Sequence, residues 1–498
     1  MKLSELFKNI EYTVLCGNAD ACEVDRIEYN SRLINEGELF VCLPGARADG
    51  HDFAAAAYRA GCRAFLCERP LDLPSNAFQA ATPDTRSALA EISAAFYGYP
   101  AEKLHIIGIT GTKGKTTTSL LIQSILEKSG IPCAYIGSNG VIINGKHVET
   151  VNTTPESREL QHYFSIMLSE GVTHAVIEVS SQALNHNRVQ GISFDVCIFT
   201  NLSPDHIGEG EHASFEEYRA AKKKLFTDYG CRLAIFNEDD DAASFMKDGI
   251  SCPALVFSTK DENADFVGTS PMPYRDETSL GIFFNCSNAG RTTRVQMRNP
   301  GEFSVCNGLA AIAACSYYGV SVKDAADILA LTSVTGRFEV VDGIPGRTFI
   351  IDYAHNGLSL TSALTVLRKY EPERLICVFG SVGGRTKNRR RELAEASSAL
   401  ADYSIITSDN PDFEAPSDIT DEILEHYDKS TPYEVIIDRE DAVRRAVQMA
   451  EQNDIVLFAG KGHERYQLIR GEKVPFSERE IIRDECRTIM LQSAAHGE

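Results

Sequence analysis

The chain has 498 residues, 43% of them hydrophobic and 24% charged, which is too long for one core and points to about three globular domains. Its formal net charge of −21 argues against non-specific nucleic-acid binding and against docking to an anionic membrane surface. The N-terminus has no long apolar segment, no later apolar run is long enough to span a bilayer, and 14 scattered cysteines include no C-x-x-C pair. These features predict a cytoplasmic protein with reduced, mostly buried thiols and neither signal peptide nor transmembrane helix.

In chain order, residues 1–100 read as a small α/β module, with strands at 38–43 and 62–67 and a helix at 53–60 that Gly61 stops. Tyr97-Gly98-Tyr99-Pro100 reads as a linker. Residues 101–333 alternate strand-like runs (104–109, 134–136, 173–179, 195–200, 233–236) with helix-like runs (120–128, 215–226, 307–318). Asn144-Gly145 signals a hairpin turn, and 254–298 is more polar and strand-like. Residues 334–498 form a third alternating unit. Its strands are at 347–353, 374–379, 403–407, 433–437 and 454–458. Its helices are at 358–369, 390–401, 418–427 and 440–451, with Ser417 a natural N-cap for the third of these. The rhythm predicts an α/β protein of three domains: a small N-terminal α/β domain, a central domain with a mostly parallel sheet, and a Rossmann-like C-terminal domain.

Gly111-Thr112-Lys113-Gly114-Lys115-Thr116-Thr117-Thr118 lies between a strand-like and a helix-like run. That is the layout of a phosphate-cradling loop: glycines let backbone N–H groups close on the phosphates, and a helix N-terminus adds partial positive charge. Lys115 is placed to reach the β/γ-phosphates and the Thr116 hydroxyl to hold Mg²⁺, so the loop predicts binding of ATP or GTP. An acidic chain with anionic ligands must concentrate its cations locally, which gives each lysine of this loop weight.

In an open parallel sheet, ligands bind at the carboxyl ends of the strands. The chemically interesting residues sit there: Glu178, Asn201 to His206, Asp352 to His355, Asp409-Asn410 and Gly460 to Glu464. Glu178, at a strand tip near the phosphate loop, suits Mg²⁺; in isolation it would read as a surface carboxylate. His206 could ligate a second divalent ion, although a lone loop histidine is usually just solvated. From spacing alone Lys222, in Ala221-Lys222-Lys223-Lys224, belongs to a solvated helix face.

Taken together, these runs resemble the Mur ligase family, and within it the branch that adds the third residue of the peptidoglycan stem peptide. The resemblance covers essentially the whole chain. It rests on Ser31-Arg32, Asp49-Gly50-His51, Thr110 to Thr118, Asn152-Thr153-Thr154-Pro155, Glu178-Val179-Ser180-Ser181, Asp205-His206 and Ala221-Lys222. It continues through Gly336-Arg337-Phe338-Glu339, Asp352-Tyr353-Ala354-His355, Ser408-Asp409-Asn410-Pro411 and Gly460-Lys461-Gly462-His463-Glu464. Each run is weak to moderate alone; their order and spacing are specific.

The resemblance implies a UDP-binding domain over residues 1–100, a P-loop ATPase domain over 101–333 and an amino-acid-binding domain over 334–498. It implies that ATP phosphorylates the D-glutamate γ-carboxylate of UDP-MurNAc-L-Ala-D-Glu, and that the amine of a diamino acid attacks the acyl phosphate. ATP and Mg²⁺ are the implied cofactors, and a monomer acting in peptidoglycan synthesis the implied state. By matching position, Gly111, Thr112, Lys113, Gly114, Lys115, Thr116 and Thr117 cradle ATP. Thr116, Glu178, His206 and a carbamylated Lys222 hold metal. Asn307, Arg337 and Asp352 contact adenine, phosphate and ribose. Ser31 falls in the UDP pocket, Thr153, Thr154, Ser180, His186 and Arg188 at the muramoyl dipeptide, and His355, Asp409, Asn410, Asp412, Gly460 and Glu464 at the amino acid. Ser304 and Pro204 depart from the residues common in the family.

The diaminopimelate-adding members carry Asp-Asn-Pro-Arg, and here the run is Asp409-Asn410-Pro411-Asp412. A carboxylate would repel a distal carboxylate and suits a distal ammonium, so L-lysine is expected, with meso-diaminopimelate or ornithine as alternatives. Gly462-His463-Glu464 argues for diaminopimelate. A folylpolyglutamate-synthetase-like ligase and a non-catalytic nucleotide-binding paralogue are the competing readings.

Overall fold

The computed structural model describes every residue except 46–47, 206, 209–210, 278, 385–386 and 497–498. The chain divides into two compact units, Met1–Asp265 with Ala313–Val320, and Phe266–Ile312 with Ser321–Glu498.

The first unit carries two sheets. The N-terminal one has five strands in the order Thr13–Cys16, Phe78–Ala81, Ala64–Cys67, Glu38–Val41, Arg26–Glu28, parallel except at the Thr13–Cys16 edge. The expected helix at 53–60 is Ala54–Arg59, and Gly61 follows it at φ +108°, the left-handed backbone that glycine adopts at a helix C-terminus.

The second sheet positions the phosphate loop. Its parallel core runs Ala254–Ser258, Cys231–Asn237, Phe194–Phe199, His105–Thr110, His174–Glu178, Cys133–Gly137. Gly140–Ile143 and Lys146–Val148 add an antiparallel edge. Asn144 (φ +47°) and Gly145 (φ +76°) join that pair, the two-residue turn that Asn-Gly predicts. The central strands are apolar on both faces, so Ile106, Ile107, Ile109, Ala175, Val176 and Ile177 are all buried. Each buried isoleucine or valine among them contributes roughly 1.5–3 kcal/mol.

The second unit holds three antiparallel strands, Phe266–Arg275, Leu280–Asn288 and Arg291–Met297, which accounts for the polar strand-like stretch of the sequence. It also holds a six-stranded sheet in the order Glu339–Val341, Thr348–Asp352, Ile455–Ala459, Leu375–Phe379, Tyr403–Ile406, Tyr433–Val435. All neighbours are parallel except the first pair. The last strand in sequence lies between the second and third, which creates the topological switch point of a Rossmann-like domain. The sheets and helices give the three-domain α/β fold the sequence predicts.

Two local expectations are corrected. The helix expected at 418–427 is Pro416–Leu424, with Pro416 in its first turn and Ala415 at the cap, so Ser417 lies inside it. Proline's fixed φ suits a first helical position and moves the start upstream. The chain also continues past its last expected strand into a hairpin, Tyr466–Ile469 with Glu472–Pro475, and a long helix, Glu478–His496. Ile481, Ile482 and Cys486 bury one side of that helix against Ala442, Val443 and Ala446.

Candidate active site

The phosphate loop follows strand His105–Thr110 and opens helix Lys115–Lys128. Gly111 has φ +152°, and a Cβ there would collide with Thr200 Oγ1, so only glycine serves. The neighbouring Asn201 clamps the loop. Its Nδ2 donates to Lys113 O (2.9 Å), its Oδ1 accepts from Lys113 N (2.9 Å) and its carbonyl accepts from Thr112 N (2.9 Å). The sequence places Asn201 at a strand end without giving it a role; its clamping of the loop depends on contacts about ninety residues apart and has no periodic signature.

Glu178 is fully buried at the tip of strand His174–Glu178 and is not a surface carboxylate. It accepts from Thr116 Oγ1 (3.0 Å), Tyr135 OH (2.5 Å), Ser138 N (3.0 Å) and Ser138 Oγ (3.2 Å). A buried carboxylate costs free energy unless its lone pairs are satisfied, and here four neutral donors satisfy them. Gly137 is required beside it, because a Cβ would collide with Glu178 Oε1 and the Tyr135 hydroxyl. The Thr116 hydroxyl and the Glu178 carboxylate are hard oxygen ligands 3.0 Å apart, a donor pair that fits Mg²⁺.

Lys222, on helix Phe215–Thr227, is 1% exposed, so the solvated-face reading is wrong. Its Nζ donates to Gly111 O (2.9 Å) and lies 4.5 Å from the Tyr218 ring centre. Lys115 Nζ donates to the same carbonyl (2.8 Å) and to Thr112 O (3.0 Å). Burial, and then the Lys115 ammonium, push the Lys222 amine well below the ordinary lysine range. His206 lies outside the described residues.

The residues expected at the muramoyl dipeptide gather at the same strand tip. Thr154 Oγ1 donates to Glu178 O (2.7 Å) and accepts from Ser180 N (3.1 Å), and Thr153 Oγ1 is 3.2 Å from Ser138 Oγ. Ser180 caps helix Ser181–Asn185 through Ala183 N. Arg188 donates to Thr154 O (3.1 Å) and pairs with Glu156 (2.9 Å). His186 is pushed down to about 4 by burial, then by Arg86, Arg188 and His212. Ser31 sits half-buried in the turn after strand Arg26–Glu28.

In the second unit, Asp352 ends strand Thr348–Asp352 and accepts from Phe338 N (2.8 Å). Burial pushes its carboxyl up, against the neighbouring Arg337. The Arg337 guanidinium stacks 4.8 Å over Tyr353, and its carbonyl accepts from Asn299. Asn307 is buried on helix Phe303–Tyr317. Ser304, where the family commonly has Asn, donates to Pro300 O (2.8 Å). His355 Nδ1 is 2.8 Å from Tyr353 O, and burial lowers its basicity.

Asp409, Asn410, Gly460 and Glu464 come together at the carboxyl ends of strands Tyr403–Ile406 and Ile455–Ala459. Asn410 Nδ2 donates to Glu464 Oε2 (3.0 Å). The sequence had assigned Lys461 no role. Its side chain is fully buried, with Nζ 2.7 Å from Asn410 Oδ1, 2.7 Å from Glu464 Oε2 and 3.6 Å from Asp409 Oδ1. Asp412 has a use the sequence did not show. Its φ is +53°, its N–H and C=O pair with Leu468 O (2.9 Å) and Arg470 N (2.8 Å), and its Oδ1 accepts from Gly471 N (2.8 Å). It therefore anchors the turn of the Tyr466–Ile469/Glu472–Pro475 hairpin, and its acidity is explained by that turn without a substrate ammonium.

Comparison with known proteins identifies the family. Residues 109–315 match the Mur ligase middle domain, 336–462 the Mur ligase glutamate ligase domain, and 23–97 the Mur ligase family catalytic domain. The UDP-N-acetylmuramoyl-L-alanyl-D-glutamate–2,6-diaminopimelate ligase of Geobacillus thermodenitrificans is 38% identical over 94% of this chain and 95% of its own. A Clostridium acetobutylicum protein of the same name is 37% identical over 97% and 98%. A solved diaminopimelate ligase structure superposes with a TM-score of 0.69 at 28% identity, covering 98% and 99%. The chain belongs to the Mur ligase family and is an ATP-dependent ligase. These relatives favour diaminopimelate over the L-lysine expected from Asp412.

Proposed function

We propose that the chain joins meso-diaminopimelate to UDP-MurNAc-L-Ala-D-Glu in peptidoglycan precursor synthesis, with ATP activating the D-glutamyl γ-carboxylate as an acyl phosphate. A carboxylate is a poor electrophile, and phosphorylation gives it a leaving group. The observation that carries the reading is the buried Glu178, bonded to Thr116 of the phosphate loop through its side chain and to Thr154 through its carbonyl. One residue thus links the nucleotide loop to the residues assigned to the muramoyl dipeptide.

On this reading Lys115 and the loop N–H groups bind and orient the ATP phosphates. Thr116 and Glu178 would hold Mg²⁺, with His206 and carbamylated Lys222 assigned to a second ion. The metal supplies charge screening between two anionic reactants. Lys222's depressed basicity supports the carbamate, because only the neutral amine adds to CO₂. Thr154, Ser180 and Arg188 orient the dipeptide, Asn307, Arg337 and Asp352 take the nucleoside, and Asp409, Asn410 and Glu464 take the amino acid. Residues 1–100, 101–333 and 334–498 serve as the UDP, ATP and amino-acid domains, in a cytoplasmic monomer.

The test is phosphate release from ATP with UDP-MurNAc-L-Ala-D-Glu and each diamino acid in turn. The expected result is turnover with meso-diaminopimelate well above that with L-lysine or ornithine. L-Lysine is the second reading, because position 412 lacks the arginine of the diaminopimelate-adding members. A strong lysine preference would establish that reading, and no turnover with any diamino acid would overturn both.

A further inference from the structure

We infer that Lys461 is the positioning and charge-setting residue of the acceptor pocket: a buried ammonium inside the acidic cluster that decides which distal group of a diamino acid the pocket tolerates. The inference rests on the amino-acid assignment above. Lys461 follows strand Ile455–Ala459 by two residues, and its side chain is completely excluded from solvent. A buried ammonium persists only if its donors are used. Here they meet Asn410 Oδ1 and Glu464 Oε2, each at 2.7 Å, with Asp409 Oδ1 at 3.6 Å. All three oxygen partners belong to residues assigned to the amino acid, and the Tyr466 ring centre lies 5.4 Å from the ammonium.

The backbone around Lys461 is built to hold this arrangement. Glu464 N donates to Lys461 O (3.0 Å), a turn that folds the Glu464 carboxylate back onto the ammonium. Gly462 occupies that turn at φ +54°. Behind the cluster Arg439, also fully buried, donates to Ser408 O (3.0 Å) and Ala459 O (2.8 Å), the carbonyls just before Asp409 and Gly460. Arg439 is paired with Glu478 (2.7 Å), so these two add no net formal charge behind the cluster while Arg439 fixes the strand ends.

The cluster then carries one formal positive and two formal negative charges, a net −1. A distal ammonium is welcome in such a pocket. A distal ammonium with an adjacent carboxylate is tolerated only because Lys461 offsets one of the two carboxylates. Asn410, held between Lys461 and Glu464, is fixed in one amide orientation, with Oδ1 toward the ammonium and Nδ2 toward the carboxylate. Lys461 does not need to touch substrate; it acts through Glu464, Asn410 and Asp409.

The test measures kcat/KM for meso-diaminopimelate and for L-lysine, and KM for ATP, in the full-length enzyme. Lys461→Met leaves two negative charges, so the ratio of the diaminopimelate to the lysine kcat/KM should fall by about tenfold or more. KM for ATP should stay within about twofold. Glu464→Gln removes a negative charge and should move the ratio the opposite way. Lys461→Arg keeps the charge and should restore part of the wild-type ratio. If Lys461→Met does not fold, the opposite shift in Glu464→Gln carries the test. Equal losses for both amino acids in these variants would make Lys461 a packing residue and overturn the inference while the wild-type activity stands. A wild-type enzyme that uses neither amino acid would instead overturn the functional reading beneath it.

Discussion

Two buried carboxylate sites, one in each unit, solve the same electrostatic problem differently. Glu178 is satisfied by hydroxyl and amide donors, Thr116, Tyr135 and Ser138, all neutral. Glu464 and Asp409 surround a lysine of the chain itself. A carboxylate held only by neutral donors keeps its charge for an incoming cation. A carboxylate already facing an ammonium has most of its charge spent, and what remains is a tuned residue. The first arrangement suits a metal ion and a phosphate. The second suits discrimination between amino acids that differ by one carboxylate.

The sharpest way to break this contrast is to remove charge at the first site. Glu178→Gln should keep the hydrogen-bond geometry but lose the ligand charge, lowering kcat by on the order of a hundredfold or more in a phosphate-release assay. Wild-type-like turnover would end the metal assignment. Lys222→Ala should have a loss of similar order. Its amine titrates well below an ordinary lysine because burial and Lys115 disfavour the ammonium. The neutral amine is therefore present at lower pH than in a solvated lysine, which favours carbamate formation. Wild-type enzyme depleted of CO₂ should lose activity and regain it with bicarbonate, and indifference to bicarbonate would remove the carbamate.

A middle-sized effect separates support from recognition in the second unit. Arg439 and Glu478 are a fully buried pair behind the acceptor cluster. Arg439→Met leaves Glu478 without its cation and should cost roughly 3–5 kcal/mol in denaturant unfolding. Such a loss differs in kind from that of Lys461→Met, whose signature is the selectivity ratio. A stability change below about 1 kcal/mol would mean that the pair is not holding the strand ends.

Much of this was legible in the sequence because the signals are local. Asn144-Gly145, the glycine-rich loop before Lys115 and the apolar strands each announce themselves within a few residues. The strand-tip positions of Glu178, Asp352 and Asp409 followed from the alternation of elements. What stayed hidden depends on contacts between distant residues. Lys222 lies on a lysine-rich run that looks solvated, and only the packing of its helix shows it 2.9 Å from Gly111 O. Lys461 meets Asn410 across 51 residues. Ser417 looked like a cap because serine favours that position, but Pro416 set the helix start two residues earlier.

Position 412 offers the smallest effect and the finest test of the contrast. Read in sequence, Asp412 is a carboxylate facing substrate; in the structure its Oδ1 accepts from Gly471 N at a hairpin turn, and its backbone is left-handed. Asparagine tolerates that backbone and keeps an acceptor oxygen, so Asp412→Asn should change stability by less than about 0.5 kcal/mol. Asp412→Ala loses the bond and strains the backbone, and should cost about 1 kcal/mol in the same measurement. If Asp412 serves only the turn, Asp412→Asn should leave the ratio of diaminopimelate to lysine kcat/KM within about twofold of wild type, whereas Lys461→Met shifts it strongly. If neutralising Asp412 instead raises that ratio by about tenfold, its charge reaches the acceptor, and the discrimination belongs to the hairpin as well as to the Lys461 cluster.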